Sequence, residues 1–277
     1  LGKRGRKYPD SHFANLNMTN QKIIPISIII AGLLISGSLV ISSEINPFNI
    51  FNTNDRNSGS FSVKNISATE DNILGNRNAP LAIIEYSDTE CPFCKEFRTT
   101  MDNVMSEYGQ RGEVMWVYRH LPLRTPNSYK EAIALECAAE IGGNQEFWSY
   151  LKEIYRIKPE QSSVSTLTNE QLSKMAELEE MNYQEFLTCL EEDTFAEKIE
   201  EQIEDAVRAG AEMTPFTVFR INEEISPEAE DRILRARGTL PSRSIRVNRK
   251  DGEVITAGSI PMDTIEEIIE TLLSESS

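Results

Sequence analysis

Hydrophobic positions divide this chain into three unequal parts. From Ile23 to Ile41 the run "IIPISIIIAGLLISGSLVI" is apolar on every side, and no charged residue stands between Lys22 and Glu44. At about 1.5 Å per residue it is long enough to cross a bilayer as a helix. Residues 44–78, including "FNTNDRNSGSFSVKN", have no apolar periodicity and read as a flexible linker. From residue 79 onward the pattern is that of a folded domain. Leu81 to Tyr86 form a short, nearly continuous apolar run, the signature of a buried strand. Phe93, Phe97, Met101, Val104, Met105 and Tyr108 then recur at helical spacing, and Gly109 and Gly112 stop that helix. A second strand is predicted over Glu113–Leu121. A strand, a helix and a strand in this order demand a parallel pair joined by a crossover.

Residues 122–210 are predicted to be helical. Asn127 is the expected cap of the segment "SYKEAIALECAAEIGG", and "QEFWSYLKEIYRI" is a second amphipathic helix. Thr168 and Gln171 form a capping box, and Asn182 caps "YQEFLTCLEE". A further helix ends at Gly210. Strand character returns in "PFTVFRI", "SIRVN" and "GEVITAG", with Lys250-Asp251-Gly252 as a hairpin turn between the last two. "MDTIEEIIETLL" closes the chain as a helix. Residues 222–243 read as an insertion in which Ser226-Pro227 starts a short helix. The whole is α/β: a thioredoxin-like layout with a helical domain inserted in its middle, preceded by one transmembrane helix.

Charge orients that transmembrane helix. Lys3, Arg4, Arg6, Lys7 and Lys22 precede it against the single acid Asp10, so residues 1–22 are expected in the cytoplasm and the C-terminal bulk outside. The apolar run exceeds a usual signal core and no A-x-A site follows, which favours an uncleaved anchor over residues 23–43. Met18 stands just before the run, where a native start would make residues 1–17 an upstream extension. Beyond residue 43 the chain carries 23 bases against 43 acids. Such an acidic surface argues against nucleic acid as a partner.

The chemistry concentrates in "TECPFCKEF", residues 89–97. Cys91 and Cys94 are separated only by Pro92 and Phe93, at the predicted junction of strand and helix. A structural zinc site needs four ligands. The other cysteines, Cys137 and Cys189, are isolated, and the only histidines are His12 and His120, so no metal is expected. A permanent staple over so small a loop gains little entropy. A redox pair accounts for more. At a helix N-terminus, unpaired N–H groups and the helix dipole favour a Cys91 thiolate. Pro92 costs nothing at the first helical position. Cys94, one turn on, is placed to resolve a mixed disulfide. His120 reads as a packed or capping residue, and Glu90 and Lys95 as residues that tune the local field.

The stretch "NILGNRNAPLAIIEYSDTECPFCKEF", with "YRHLPL", "ALECAAEIGGNQEFWSYLKEIY" and "MTPFTVF" in order after it, resembles the DsbA-like thiol-disulfide oxidoreductases. The resemblance runs from about Asn72 to Phe219 and again over the final helix. It implies a DsbA-like domain over 79–277, with Cys91 as nucleophile and Cys94 as resolving cysteine. It implies that Pro215 is the cis-proline facing the site, with Thr214 offering its backbone to an extended client. Glu85 matches an acid that assists proton transfer to the buried cysteine; otherwise it is a solvated strand-edge carboxylate. Cys137 and Cys189 are either two buried thiols or a structural disulfide, which some members carry and which the resemblance favours. No cofactor is implied. The implied partners are exported proteins bearing cysteines and a quinone-linked membrane oxidase, either DsbB-like or vitamin-K-epoxide-reductase-like. The implied activity is oxidation of cysteine pairs in the periplasm or at the cell exterior. Isomerase or reductase activity, or non-catalytic client binding, remain alternatives. The chain departs from the family in Glu212-Met213-Thr214, where a glycine is usual, and in the insertion over 222–243. Both departures affect the shape of the client groove.

Overall fold

The computed structural model describes residues 63–158 and 167–276. The expected cytoplasmic segment and anchor, residues 1–43, lie outside the described residues, as does most of the expected linker. No helix among the described residues is long and apolar enough to cross a membrane.

Six strands form one sheet: β1 (Asn72–Gly75), β2 (Leu81–Ser87), β3 (Val114–His120), β4 (Phe216–Arg220), β5 (Ile245–Asn248) and β6 (Glu253–Ala257). Their spatial order is β1-β3-β2-β4-β6-β5. β2 and β3 are parallel, as the crossover requires, and the other pairs are antiparallel. Apolar alternation is weak in β2 because both faces of the sheet are covered. Leu81 and Ile83 join the large core with Phe97, Met101, Trp116 and Ile268. Ile84 and Tyr86 join a second core with Ala206, Phe216 and Val218 on the other face.

The helices are α1 (Pro92–Val104), α2 (Pro126–Ile157), α3 (Asn169–Leu178), α4 (Tyr183–Glu191), α5 (Ala196–Arg208), α6 (Pro227–Ala236) and α7 (Met262–Glu275). α1 continues into one π-helical turn, Met105–Gly109. α2 is broken at Gly143, whose φ of 83° lies in the left-handed region, so the two helices expected there are two arms of one span. α2 to α5 are the helical insertion. The caps at Thr168 with Gln171, at Asn182 and at Ser226 are as expected. The α6 start is tied to the C-terminal helix, because Ser226 donates to Glu275 from both its backbone N–H (2.8 Å) and its hydroxyl (3.1 Å).

Three expectations are corrected. The cap of α2 is Thr125, not Asn127: its hydroxyl accepts from the Asn127 and Ser128 N–H groups, and Pro126 takes the first helical position. Residues 63–78 of the expected linker are ordered. Asn72–Gly75 pair with β3, and Lys64 and Asn65 give their carbonyls to Arg119. Arg119 also binds Asp71 (2.8 Å) and Asp205 (2.8 Å), and Val63 and Ile73 are buried in the second core, so long-range polar and apolar contacts rather than a local pattern fix this segment. Phe93 is not part of the buried face of α1. That face is Cys94, Phe97, Met101 and Val104, and Phe93 is 56% exposed.

Candidate active site

Strand β2 is buried along its whole length and delivers the chain to the start of α1. The turn between them is set by Asp88. Its Oδ1 accepts from the Glu90 N–H (2.8 Å), an Asx-turn, and its Oδ2 accepts from Leu123 (2.8 Å) and Arg124 (2.9 Å). One carboxylate therefore joins the loop before the cysteines to the loop after β3. Burial raises its pKa, and the backbone hydrogen bonds oppose the rise. The "SDTE" spacing could have revealed the Asx-turn; the reach to Leu123 and Arg124 leaves no local mark.

Cys91 is the N-cap of α1, with extended backbone (φ −87°, ψ 118°), and Pro92 follows at the first helical position. Its carbonyl accepts from the Cys94 and Lys95 N–H groups (3.1 Å each). The Thr214–Pro215 peptide bond is cis and brings Thr214 against the thiol, so that Cys91 Sγ donates to the Thr214 carbonyl at 3.4 Å. The Cys91 pKa falls from an ordinary 9.0 to about 6. The main cause is the Cys94 thiol donating to the Cys91 sulfur. Burial opposes it, and the Thr214 side chain and the N–H groups of Cys94 and Phe93 assist it. The helix N-terminus thus contributes as expected, but the neighbouring thiol contributes more.

Cys91 is 3% exposed, yet it lines a cavity of about 620 Å³ with Phe93, Leu123, Arg124, Met213 and Thr214. Its sulfur is recessed rather than sealed. Phe93 and Met213 (49% exposed) add apolar surface to the same cavity. Cys94 is wholly buried. Burial pushes its pKa well above 9.0, and the Cys91 and Glu85 charges push it the same way. One turn of helix therefore separates a readily ionised thiol from one that holds its proton.

Glu85 is not a solvated edge residue. β2 lies between β3 and β4, and Glu85 is 1% exposed. Burial raises its pKa to about 7, against the lowering effects of Ser87, Arg98 and Trp116. The Trp116 indole donates to Glu85 Oε2 at 3.0 Å, and Arg98 stacks 5.1 Å above the Trp116 ring. His120 is buried against Glu136 (2.9 Å), a packed residue as expected.

Several neighbours of the site escaped sequence reasoning. Lys158, the residue that ends α2, is buried and binds both Glu90 and Glu131 (2.5 Å to the latter), while Thr89 donates to Glu131. Lys95 donates to the Lys158 carbonyl. Glu90 is therefore an internal ion-pair member, not only a flanking charge. These contacts span 27 to 68 residues of sequence, so no local pattern announces them. Cys137 and Cys189 form a disulfide between α2 and α4.

A family model described as Thioredoxin matches residues 67–235, well over half of the chain. The protein belongs to this thioredoxin family. Solved structures similar to it include oxidised BdbD from Bacillus subtilis, 19% identical with a TM-score of 0.57, covering 79% of this chain and 100% of that one. Wolbachia pipientis alpha-DsbA1 is 17% identical with a TM-score of 0.59, covering 76% and 94%. Pseudomonas aeruginosa DsbA2 is 22% identical with a TM-score of 0.53, covering 76% and 97%. At these identities the likeness shows the fold: a thioredoxin-like sheet with a helical insertion. Among curated relatives, a Na(+)/H(+) antiporter NhaA 1 of Mycolicibacterium gilvum is 34% identical over 95 residues, 34% of this chain but 15% of that protein. An NhaA antiporter of Herminiimonas arsenicoxydans is 29% identical over 145 residues, 52% and 21% respectively. This chain spans only a small part of the length of these relatives. The thioredoxin-family frame places the cysteine pair of this protein at the start of α1, facing the cis Thr214–Pro215 bond.

Proposed function

We propose that this thioredoxin-family protein is an extracytoplasmic, membrane-tethered thiol-disulfide oxidoreductase. It exchanges disulfides with cysteine-bearing exported proteins through Cys91 and Cys94. The observation that carries the reading is the asymmetry of the pair: an N-cap thiol whose pKa falls to about 6, beside a buried thiol raised well above 9.0. The thiolate, not the thiol, is the nucleophile and the good leaving group. A client thiolate attacks Cys91 of the disulfide, and Cys94 departs. A second client thiol then attacks the client sulfur of the mixed disulfide, forming the client disulfide and releasing Cys91 as a thiolate. A stabilised Cys91 thiolate favours the reduced enzyme and so the oxidation of clients. Phe93 and Met213 offer apolar contact to a client segment lying across Thr214.

The basic residues ahead of the apolar run 23–41 support a cytoplasmic start and an external domain, where disulfides persist. A quinone-linked membrane oxidase, DsbB-like or vitamin-K-epoxide-reductase-like, would return the pair to its disulfide. The short match to antiporters supports no transport reading, since it spans about 15% of such a chain. Replacing Cys91 with Ser tests the proposal. Loss of both insulin reduction and oxidation of a reduced peptide supports it. A wild-type chain that binds clients without exchanging thiols makes the protein a binding module. The potential of the Cys91–Cys94 couple then decides direction: a strongly reducing value makes it a reductase or isomerase.

A further inference from the structure

Two features of the sequence, Met213 just before the cis bond and the insertion over 222–243, come together beside Cys91. Met213 lines the cavity that Cys91, Arg124 and Thr214 share, and it also lines a second cavity of about 380 Å³. Pro241 and Arg243 of the insertion, with Ser244 and Arg246 after them, line the second one. Glu212 and Met213 are common to both. The two cavities therefore adjoin, and a groove leads from Cys91 past Met213 to the insertion.

The backbone around this groove is fixed by hydrogen bonds. The Gly258 N–H donates to the Pro215 carbonyl (2.9 Å), which ties the cis-proline loop to the end of β6. The Ala257 N–H donates to the Ser244 carbonyl (3.1 Å), which ties β6 to the residue before β5. The Arg246 guanidinium donates to the Ala209 carbonyl at 3.3 Å. A groove already held in shape has less ordering to lose when a segment binds it.

The charge of the groove is the reverse of the chain's. Beyond residue 43 the chain has 43 acids against 23 bases. Among the described residues, the arginines give their guanidinium groups to a carboxylate or a carbonyl of the protein, with two exceptions. The exceptions are Arg124 and Arg243; both are exposed, and both line the groove. Arg246 adds a third positive charge. The sole acid lining either cavity is Glu212, and its charge acts on Arg246. Guanidinium groups without a carboxylate, set beside the apolar surfaces of Phe93 and Met213, complement a segment that brings carboxylates of its own.

We infer that this groove selects clients whose reacting cysteine lies in an extended segment with a carboxylate on each side of it, Arg124 taking one carboxylate and Arg243 the other. This rests on the thiol-disulfide reading above and names the class of client for it. The segment lies across Thr214 with its cysteine toward Cys91. Residues two away from the cysteine share its side of an extended strand, so the carboxylates belong at those positions. Ion pairs at an exposed rim act chiefly on the rate of encounter and weaken with salt. The exchange itself is unchanged: the client thiolate attacks Cys91 and Cys94 departs.

The test uses the full chain in its oxidised form and short peptides with one central cysteine. Glu stands two residues before the cysteine, two after it, or at both places, and Gln replaces it in the control peptide. A nearby carboxylate raises the pKa of the peptide thiol and changes its intrinsic reactivity. Each rate is therefore divided by that of the same peptide with a neutral dipyridyl disulfide. At low salt each Glu is expected to raise the corrected rate about 3-fold, the order of one exposed ion pair, and added salt should remove the gain. Arg124→Gln should abolish the gain from one flank and Arg243→Gln the gain from the other, while Arg124→Lys and Arg243→Lys retain it. Because the readout is a ratio between peptides, a general loss of reactivity at Cys91 does not imitate this result. Equal corrected rates for the Glu and Gln peptides overturn the inference, as does a gain that survives both Gln variants. A wild-type chain that reacts with none of the peptides refutes the thiol-disulfide reading itself, and this inference with it.

Discussion

Replacing Cys94 with Ala in the reduced protein isolates the largest influence on the nucleophile. The Cys91 pKa is lowered to about 6, first by the thiol of Cys94, then by Thr214 and the N–H groups at the start of α1. A hydrogen bond to a charged group contributes about 1.5–3 kcal/mol, and a thiol is a weak donor. Cys91 also lines an open cavity, where solvent access screens the interaction. The low end, about 1.5 kcal/mol, corresponds to a rise of about one in the Cys91 pKa. Cys137 and Cys189 are bonded to each other, so Cys91 is the only free thiol of this four-cysteine chain in the variant. Its thiolate absorbance in the ultraviolet can therefore be titrated without ambiguity. A midpoint in Cys94→Ala equal to that of the wild type would assign the depression to Thr214 and the helix instead. A wild-type midpoint near that of free cysteine would refute the electrostatic account altogether. The sign carries over to stability. Because the folded pKa is depressed, the thiolate stabilises the reduced fold fully above the unfolded value and ceases to do so as pH falls through about 6. At pH 7, after screening, it contributes about 1 kcal/mol, which also raises the potential of the couple by about 20 mV.

Glu85 should show the opposite dependence. Its folded pKa is raised to about 7, so the wild type loses stability as pH rises from the unfolded carboxylate value through 7, by up to about 3 kcal/mol; urea denaturation of Glu85→Gln should lack this loss, and parallel pH profiles for the two proteins would contradict it. The Cys137–Cys189 bond closes a loop across 52 residues of sequence, worth about 4 kcal/mol in the chain-entropy model. Cys137→Ala/Cys189→Ala should lower stability by that order while Cys91 still titrates as before, and a variant as stable as the wild type would show that the bond constrains nothing.

The sequence alone determined what lies within about one helical turn or one strand. The Cys91–Cys94 pair, Pro92 at the first helical position, the Thr168–Gln171 box, the Asn182 and Ser226 caps and the turn before Gly252 are all contacts between near neighbours. Periodicity and cap chemistry record such contacts directly. Even there, neighbours compete: Thr125 displaced Asn127 as a cap because Pro126 suits the first helical position, and Phe93 turned outward because the buried face of α1 begins at Cys94. Glu85 and Pro215 could be singled out, but only the fold shows the carboxyl buried under Trp116 and the Thr214 carbonyl against Cys91. Lys158 meeting Glu90, Arg119 gathering Asp71 and Asp205, and Tyr155 reaching Ser87 had no local trace. Polar groups have no periodic signature, and a buried one is tolerated only where a partner is brought to it. That partner comes from wherever the sheet and the helical insertion place it. The identity of the reacting sulfurs is thus a local property of the chain, whereas their ionisation belongs to the packing around them.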